Sequence, residues 1–251
     1  MRLRSLITIP FINGLLFFCF KAHAQHNESD SMQFEKAKEY AVSLYHENIK
    51  NESGLYNGSQ YVVYAQTIQD GIPFFEITQP SNGNVTYWGV EYKNVPLLYD
   101  ILKGQIITVV PSTNYLIKLN TEKVSSFEVL NHKFIRIVKD SSNKNIKTGF
   151  YDVLYDGQTP VYKKEIKTLN EDLSSGKLRT FILDDSTFFI KKNNAFYTVS
   201  NKSSVLDIFK DKKKEVQEFI RKNKLKIRKD KDNSLPKIAA FYDEISKTQK
   251  S

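Results

Sequence analysis

The sequence predicts a mainly β protein of α+β composition. An antiparallel meander of about twelve strands should curl into a half-barrel, a barrel or another curved sheet, with one N-terminal and two C-terminal helices. Three observations carry this. From Tyr61 to Ser200 short runs of Val, Ile, Thr, Tyr and Phe alternate with a period of 2. Pairs such as Asp70-Gly71, Asn82-Gly83, Asp156-Gly157 and Asn193-Asn194 punctuate those runs with hairpin chemistry. Helical periodicity occurs only on either side, so a parallel βαβ sheet is disfavoured.

The elements follow in order. Residues 1–24 have a basic start at Arg2 and Arg4, an apolar run from Leu6 to Phe20, and Ala22-His23-Ala24 before Gln25. That pattern is a cleavable secretory leader, and the run is shorter than the roughly 20 residues a spanning helix needs. The mature chain is then a single domain, 25–251, with no transmembrane segment. Residues 33–49 put Phe34, Ala37, Ala41, Leu44 and Tyr45 on one face, predicting an amphipathic helix. The β body, 61–200, reads as strands at 61–67, 73–78, 85–92, 95–101, 105–110, 115–119, 132–138, 148–155, 161–168, 178–184, 187–192 and 195–200. Within Val85 to Tyr92 both faces carry large aromatics. A helical tail, 203–246, holds one helix over 203–223 and a second that starts at Ser234 as N-cap.

Composition limits the chemistry. The chain of 251 residues has one cysteine, Cys19, inside the leader. The mature protein therefore has no disulfide, no thiolate metal site and no cysteine nucleophile. His26, His46 and His132 lie far apart without ligand spacing, so no metal or other cofactor is expected. The formal charge of +9 is unevenly placed, because residues 201–251 hold 15 basic and 8 acidic side chains. Lys212, Lys213, Lys214, Arg221, Lys222, Lys224, Arg228 and Lys229 form the dense part of a basic surface. It would suit an anionic lipid or envelope polymer, or else serve as a solvated helix face. Nucleic acid is not expected for an exported chain.

No nucleophile elbow, zincin motif, P-loop or dinucleotide fingerprint is present in the sequence. Asp184-Asp185 reads as a hairpin tip, and Asp100, Asp152 and Asp156 as turn residues near strand ends. Leu55-Tyr56-Asn57-Gly58, the run GFYDVLYDG at 149–157, KKEVQEFIRKNKLKIRKDKD at 213–232 and FYDEI at 241–245 together resemble a widespread family of exported all-β bacterial proteins with a helical C-terminal tail and no assigned activity. The resemblance implies periplasmic or secreted location in a Gram-negative envelope and brings no catalytic motif.

The functional expectation is an exported, non-catalytic envelope protein acting as an interaction or small-ligand-binding module. The alternatives are a periplasmic lipid or lipoprotein carrier with an apolar half-barrel cavity, and a hydrolase of carbohydrate or another envelope polymer, which needs two convergent carboxylates. Tyr87, Trp88, Tyr92 and Phe150 are the candidate ligand contacts.

Overall fold

The computed structural model describes residues 32–34, 36–38, 40–41, 54–64, 67–140, 145–174 and 176–247. The expected leader and residues 42–49 of the expected 33–49 helix lie outside them. The chain divides into two units, residues 1–48 and 49–251. In the first, the described residues are helical, and Met32, Phe34 and Tyr40 are exposed.

The second unit is built on one open antiparallel sheet of eleven strands. In chain order they are β1 (Ser59–Gln60), β2 (Ser81–Tyr87), β3 (Val90–Asp100), β4 (Gln105–Val109), β5 (Leu116–Lys118), β6 (Val124–Val129), β7 (His132–Ile137), β8 (Gly149–Tyr155), β9 (Val161–Asp172), β10 (Arg179–Lys192) and β11 (Ala195–Val199). The spatial order is β1-β5-β4-β3-β2-β6-β7-β8-β9-β10-β11, so the meander breaks twice: β1 pairs with β5 and not with β2, and the chain leaves β5 to return as β6 beside β2. Three helices follow: α1 (Lys202–Ile208), α2 (Lys213–Lys222) and α3 (Lys231–Lys247).

Several expectations need correction. Asn82 and Gly83 do not turn; they lie within β2, where a Cβ on Gly83 would run into the Glu128 carbonyl of β6. Glycine serves close strand approach there. The turn falls instead at Trp88-Gly89, with φ of 54° and 76°, and splits the expected 85–92 strand. Asp184 and Asp185 lie inside the single long β10, where Lys167 of β9 pairs with Asp184 at 2.7 Å. Strand β6 was not expected; its Ser125-Ser126 dilutes the β pattern. Residues 61–64 and 73–78 form no strand. Asp70-Gly71 joins no hairpin, whereas Asp156-Gly157 and Asn193-Asn194 do mark turns between paired strands.

The expected 203–223 helix is two helices. An Asn201–Ser204 capping box starts α1. The break follows Ile208, whose carbonyl accepts a 3.1 Å bond from Lys192 Nζ, while Asp211 accepts one at 2.5 Å from the same ammonium and one at 2.8 Å from Tyr242. Helix α3 is capped by Asp230, whose carboxylate accepts from the Asn233 backbone and side chain, so it begins before Ser234, which is buried within it.

The sheet has an inner face with two apolar regions. Phe127, Phe134, Phe150 and Tyr99 form one, with Leu55 and Phe75 inserted from outside the strands. Val161, Phe188, Ile190 and Val199 form the other, under the three helices. Asp243 of α3 fastens that cover by accepting from the Tyr155 hydroxyl and the Thr159 amide. Residues 69–75 cross the gap between sheet regions. The Gln69 amide donates to Thr180 O of β10 and the Ile182 amide of β10 donates to Asp70 O, while the Phe75 amide donates to Tyr99 O of β3 and the Ile101 amide just past β3 donates to Pro73 O.

On the opposite face the fully buried Asp100 accepts from the Tyr61 hydroxyl (2.8 Å), the Tyr64 hydroxyl (2.8 Å) and the Lys103 amide (2.9 Å). Burial, then the bond to Asp100, pushes both phenols well above their ordinary value. Asp100→Ala strands these donors, and we expect a loss of about 3 kcal/mol in urea-unfolding free energy. A second prediction concerns the Lys192–Asp211 pair. Burial alone would raise Asp211, but the Lys192 and Tyr242 bonds outweigh it and hold the carboxyl below its ordinary 3.8. Burial alone would lower Lys192, yet Asp211 and Tyr242 hold it above 10.5. The pair thus stabilises fully between those values, and its contribution is lost as pH falls below 3.8 or rises above 10.5. Melting profiles of wild type and Asp211→Asn should converge at both extremes and separate between them.

Candidate functional site

The four aromatic candidates do not converge on one pocket. Tyr87 and Phe150 are buried in the first apolar region and Tyr92 packs against it. Trp88 stands apart at the β2–β3 turn, 64% exposed. The inner aromatic face is filled: Phe127 stacks on Phe134 at 4.7 Å between ring centroids, and Tyr99 meets Phe127, Phe134 and Phe150 edge-on at 5.2–5.8 Å.

Strand register builds a polar site between the two apolar regions. One cross-strand row runs Phe127, Phe134, Asp152, Lys163, Phe188 through β6 to β10. Asp152 is buried, and its carboxylate oxygen lies 2.7 Å from His132 Nδ1, within hydrogen-bond distance. That bond leaves Nε2 facing Glu76 Oε1 at 4.0 Å. Glu76 has φ of 54° and lies in a γ-turn closed by the Ile77 amide on the Phe75 carbonyl, a strained conformation. The neighbouring Lys163 ammonium bridges Glu165 at 2.7 Å and Asp232 at 2.9 Å. Burial pushes the Asp152 carboxyl above its ordinary value against the pull of His132 and Lys163. Burial would lower Lys163, but its two carboxylates more than compensate and raise it. Sequence reasoning found no partner for His132 at ligand spacing and read Asp152 as a turn residue near a strand end. They lie 20 residues apart, and only the β7–β8 register brings them together.

The outer face of β2 offers a different chemistry. Asn82, Asn84 and Thr86 alternate outward along the strand, which leads to Trp88. A cleft of about 490 Å³ at the Asn82 end is lined by Asn82, Asn84, Asn94, Asn131, Lys93 and Glu128 among others. Asn84 donates to Glu128 at 3.2 Å and accepts from the Asn94 amide at 3.2 Å, where β3 bulges. The Ser126 and Thr86 hydroxyls pair at 3.1 Å along the same face. Lys123 Nζ lies 3.8 Å from the Trp88 ring centroid. Amides and hydroxyls with both donor and acceptor capacity, one carboxylate and one ammonium favour a polar ligand of low net charge.

The expected basic surface is resolved into paired and unpaired parts. Lys212 approaches Glu215, Lys213 approaches Asp207, and Arg221 approaches Glu218 at 3.7–4.0 Å. Lys214, Lys222, Lys224, Arg228 and Lys229 are exposed and make no ion pair within 4.0 Å among the described residues.

Among the described residues no group of three or more His, Cys, Asp or Glu side chains could hold a metal ion, and no helix is long and apolar enough to cross a membrane. No protein-family model, curated protein or solved structure matches the chain.

The His132–Asp152 pair yields a test. His132→Ala strands the buried Asp152 carboxyl at a cost of about 2–3 kcal/mol, and Asp152→Ala, which leaves a half-exposed imidazole, should cost less. The double variant should cost about 1–2 kcal/mol less than the sum of the singles, read from urea unfolding. Strictly additive losses would show that the two side chains do not act as a pair.

Proposed function

We propose that this protein is an exported, non-catalytic cell-envelope module that binds a hydroxyl-rich polar ligand, of the saccharide class, along the outer face of β2. The observation that carries the reading is the amide-lined cleft beside Asn84 and Asn94. Amide side chains present donor and acceptor together, matching adjacent hydroxyls, and an exposed indole offers the apolar face of a sugar ring a platform. From Asn82 to Trp88 the strand spans about 20 Å, room for an extended chain. The filled aromatic interior supports surface binding over the carriage of acyl chains. The carboxylates Asp152, Glu165 and Asp232 are each engaged by a neighbouring side chain, Asp152 by His132 and the other two by Lys163, which supports binding over hydrolysis. Export rests on residues 1–24, and N-terminal sequencing of the protein from its host should begin at Gln25.

Calorimetric titration with soluble fragments of envelope polysaccharide tests the site. Asn84→Ala should weaken binding about tenfold, and Trp88→Ala by tenfold or more, with melting temperatures little changed because both residues lie on the surface. Binding unaffected by either change would remove the site. A lipid co-purifying with the native protein would instead favour the carrier.

A further inference from the structure

The connection between α2 and α3 carries charge in a place that local backbone physics opposes. Helix α2 ends in a Schellman motif: the Lys224 amide bonds to the Arg221 carbonyl at 3.2 Å, and the Leu225 amide to the Ile220 carbonyl at 3.0 Å. Leu225 packs against the apolar cluster that contains the buried Ile220, the kind of contact that accompanies such an ending. The left-handed position of this motif belongs to glycine, yet here it holds Lys224 at φ of 53°. From there the chain alternates. Leu225 and Ile227 point into the core under the helices, and Lys224, Lys226 and Arg228 are exposed between them.

The charges are left uncompensated. Acidic neighbours meet Lys212, Lys213 and Arg221 further up the tail, but Asp230, the acid within this stretch, is turned to cap α3, and Asp232 is held by Lys163. Lys222, Lys224, Lys226, Arg228 and Lys229 therefore stand as one exposed cationic row with no ion pair among the described residues. Four of the five are lysines, mobile point charges without the fixed fork that recognises one anion bidentately. Phe219 and Phe241 nearby stack on each other at 4.1 Å, which leaves no free ring face between them to receive a base. Diffuse, lysine-rich charge on an exposed connection fits an array of mobile phosphates.

We propose that residues 222–229 form an electrostatic docking surface for an anionic phospholipid membrane, and that Lys224 is retained at a glycine position for its charge. The surface is distinct from the outer face of β2 and does not depend on ligand binding there.

Cosedimentation of the full chain with phosphatidylcholine vesicles, with and without about 30 mol% phosphatidylglycerol, tests this directly. Binding should require the anionic lipid and be lost at about 0.5 M salt, where the screening length is a few ångströms. Each neutralised lysine should weaken partitioning about fivefold, so the Lys222→Gln, Lys224→Gln, Lys226→Gln triple variant should lose about a hundredfold. Lys224→Gly gives the second readout: membrane binding falls about fivefold while the melting temperature rises by about 2–4 °C, because the left-handed strain is relieved. Equal binding to neutral and anionic vesicles, or a triple variant that binds like wild type, overturns the proposal. So does binding to a soluble polyanion such as polygalacturonate without binding to vesicles, which would give the row to an acidic polymer. A Lys224→Gly protein that is stabilised but binds vesicles unchanged refutes the role of Lys224.

Discussion

The unpaired half-edges of β3 and β10 are the constraint on which the rest of the structure depends. β10 runs from Arg179 to Lys192, but β11 covers only Phe188 to Lys192. β3 extends to Asp100, yet β2 pairs with it no further than Leu97. Two exposed runs of backbone donors and acceptors would invite pairing with another chain. Residues 69–75 satisfy both, in parallel with β10 near Phe181 and antiparallel with β3 near Asp100. The same segment inserts Phe75 edge-on against Phe134 and His132 at 5.0 Å and places Glu76 at the imidazole. Edge protection, closure of the aromatic interior and assembly of the polar site thus belong to one short stretch of chain.

This arrangement decides where binding can occur. Once Phe75 and the aromatic cluster fill the first inner region and the helices cover the second, the inner face has little apolar surface left to offer. A buried Asp152 beside a buried phenylalanine would be costly alone, so His132 and the Lys163 network answer it. That network is satisfied internally, as a device that fixes register should be. The outer face of β2 differs, because Asn84 bonds to the exposed Glu128 carboxylate and the Asn94 backbone amide, and Ser126 to Thr86, at 3.1–3.2 Å, and these groups retain capacity for a ligand.

Sequence patterns reveal what is local. Asn193-Asn194 adopts positive φ at both positions, as its composition demands, and the apolar alternation of β4, β7, β8 and β9 is legible strand by strand. Asn82-Gly83 misleads because the same dipeptide serves a turn or a close strand approach, and only the neighbour in space decides which. Asp184-Asp185 misleads for a similar reason: a cross-strand lysine, Lys167, makes an acidic pair tolerable in mid-strand. Trp88-Gly89 escapes notice because tryptophan is a poor predictor of positive φ. His132 and Asp152 are illegible as a pair, since their contact comes from the β7–β8 register and no spacing rule encodes it. The basic tail is visible as composition, but its division into paired and unpaired lysines depends on where the helices break.

Backbone strain connects these sites more sharply than composition does. Among the described residues, asparagine occupies five of the nine positive-φ positions outside glycine, and it tolerates that region through its short polar side chain. The other four are Glu76, Trp88, Leu130 and Lys224. Glu76 faces His132, Trp88 ends the outer track of β2, Leu130 lines the amide cleft, and Lys224 opens the cationic row. Each would be easier for the backbone as glycine or asparagine, at roughly 1 kcal/mol apiece. Leu130 has a packing reason, since it lies against the aromatic core. For Glu76, Trp88 and Lys224 no comparable burial offsets the strain: their side chains are exposed, and what each adds is a charge or an aromatic face. A fold under selection for stability alone would shed such residues, so their placement is best explained by what those side chains meet.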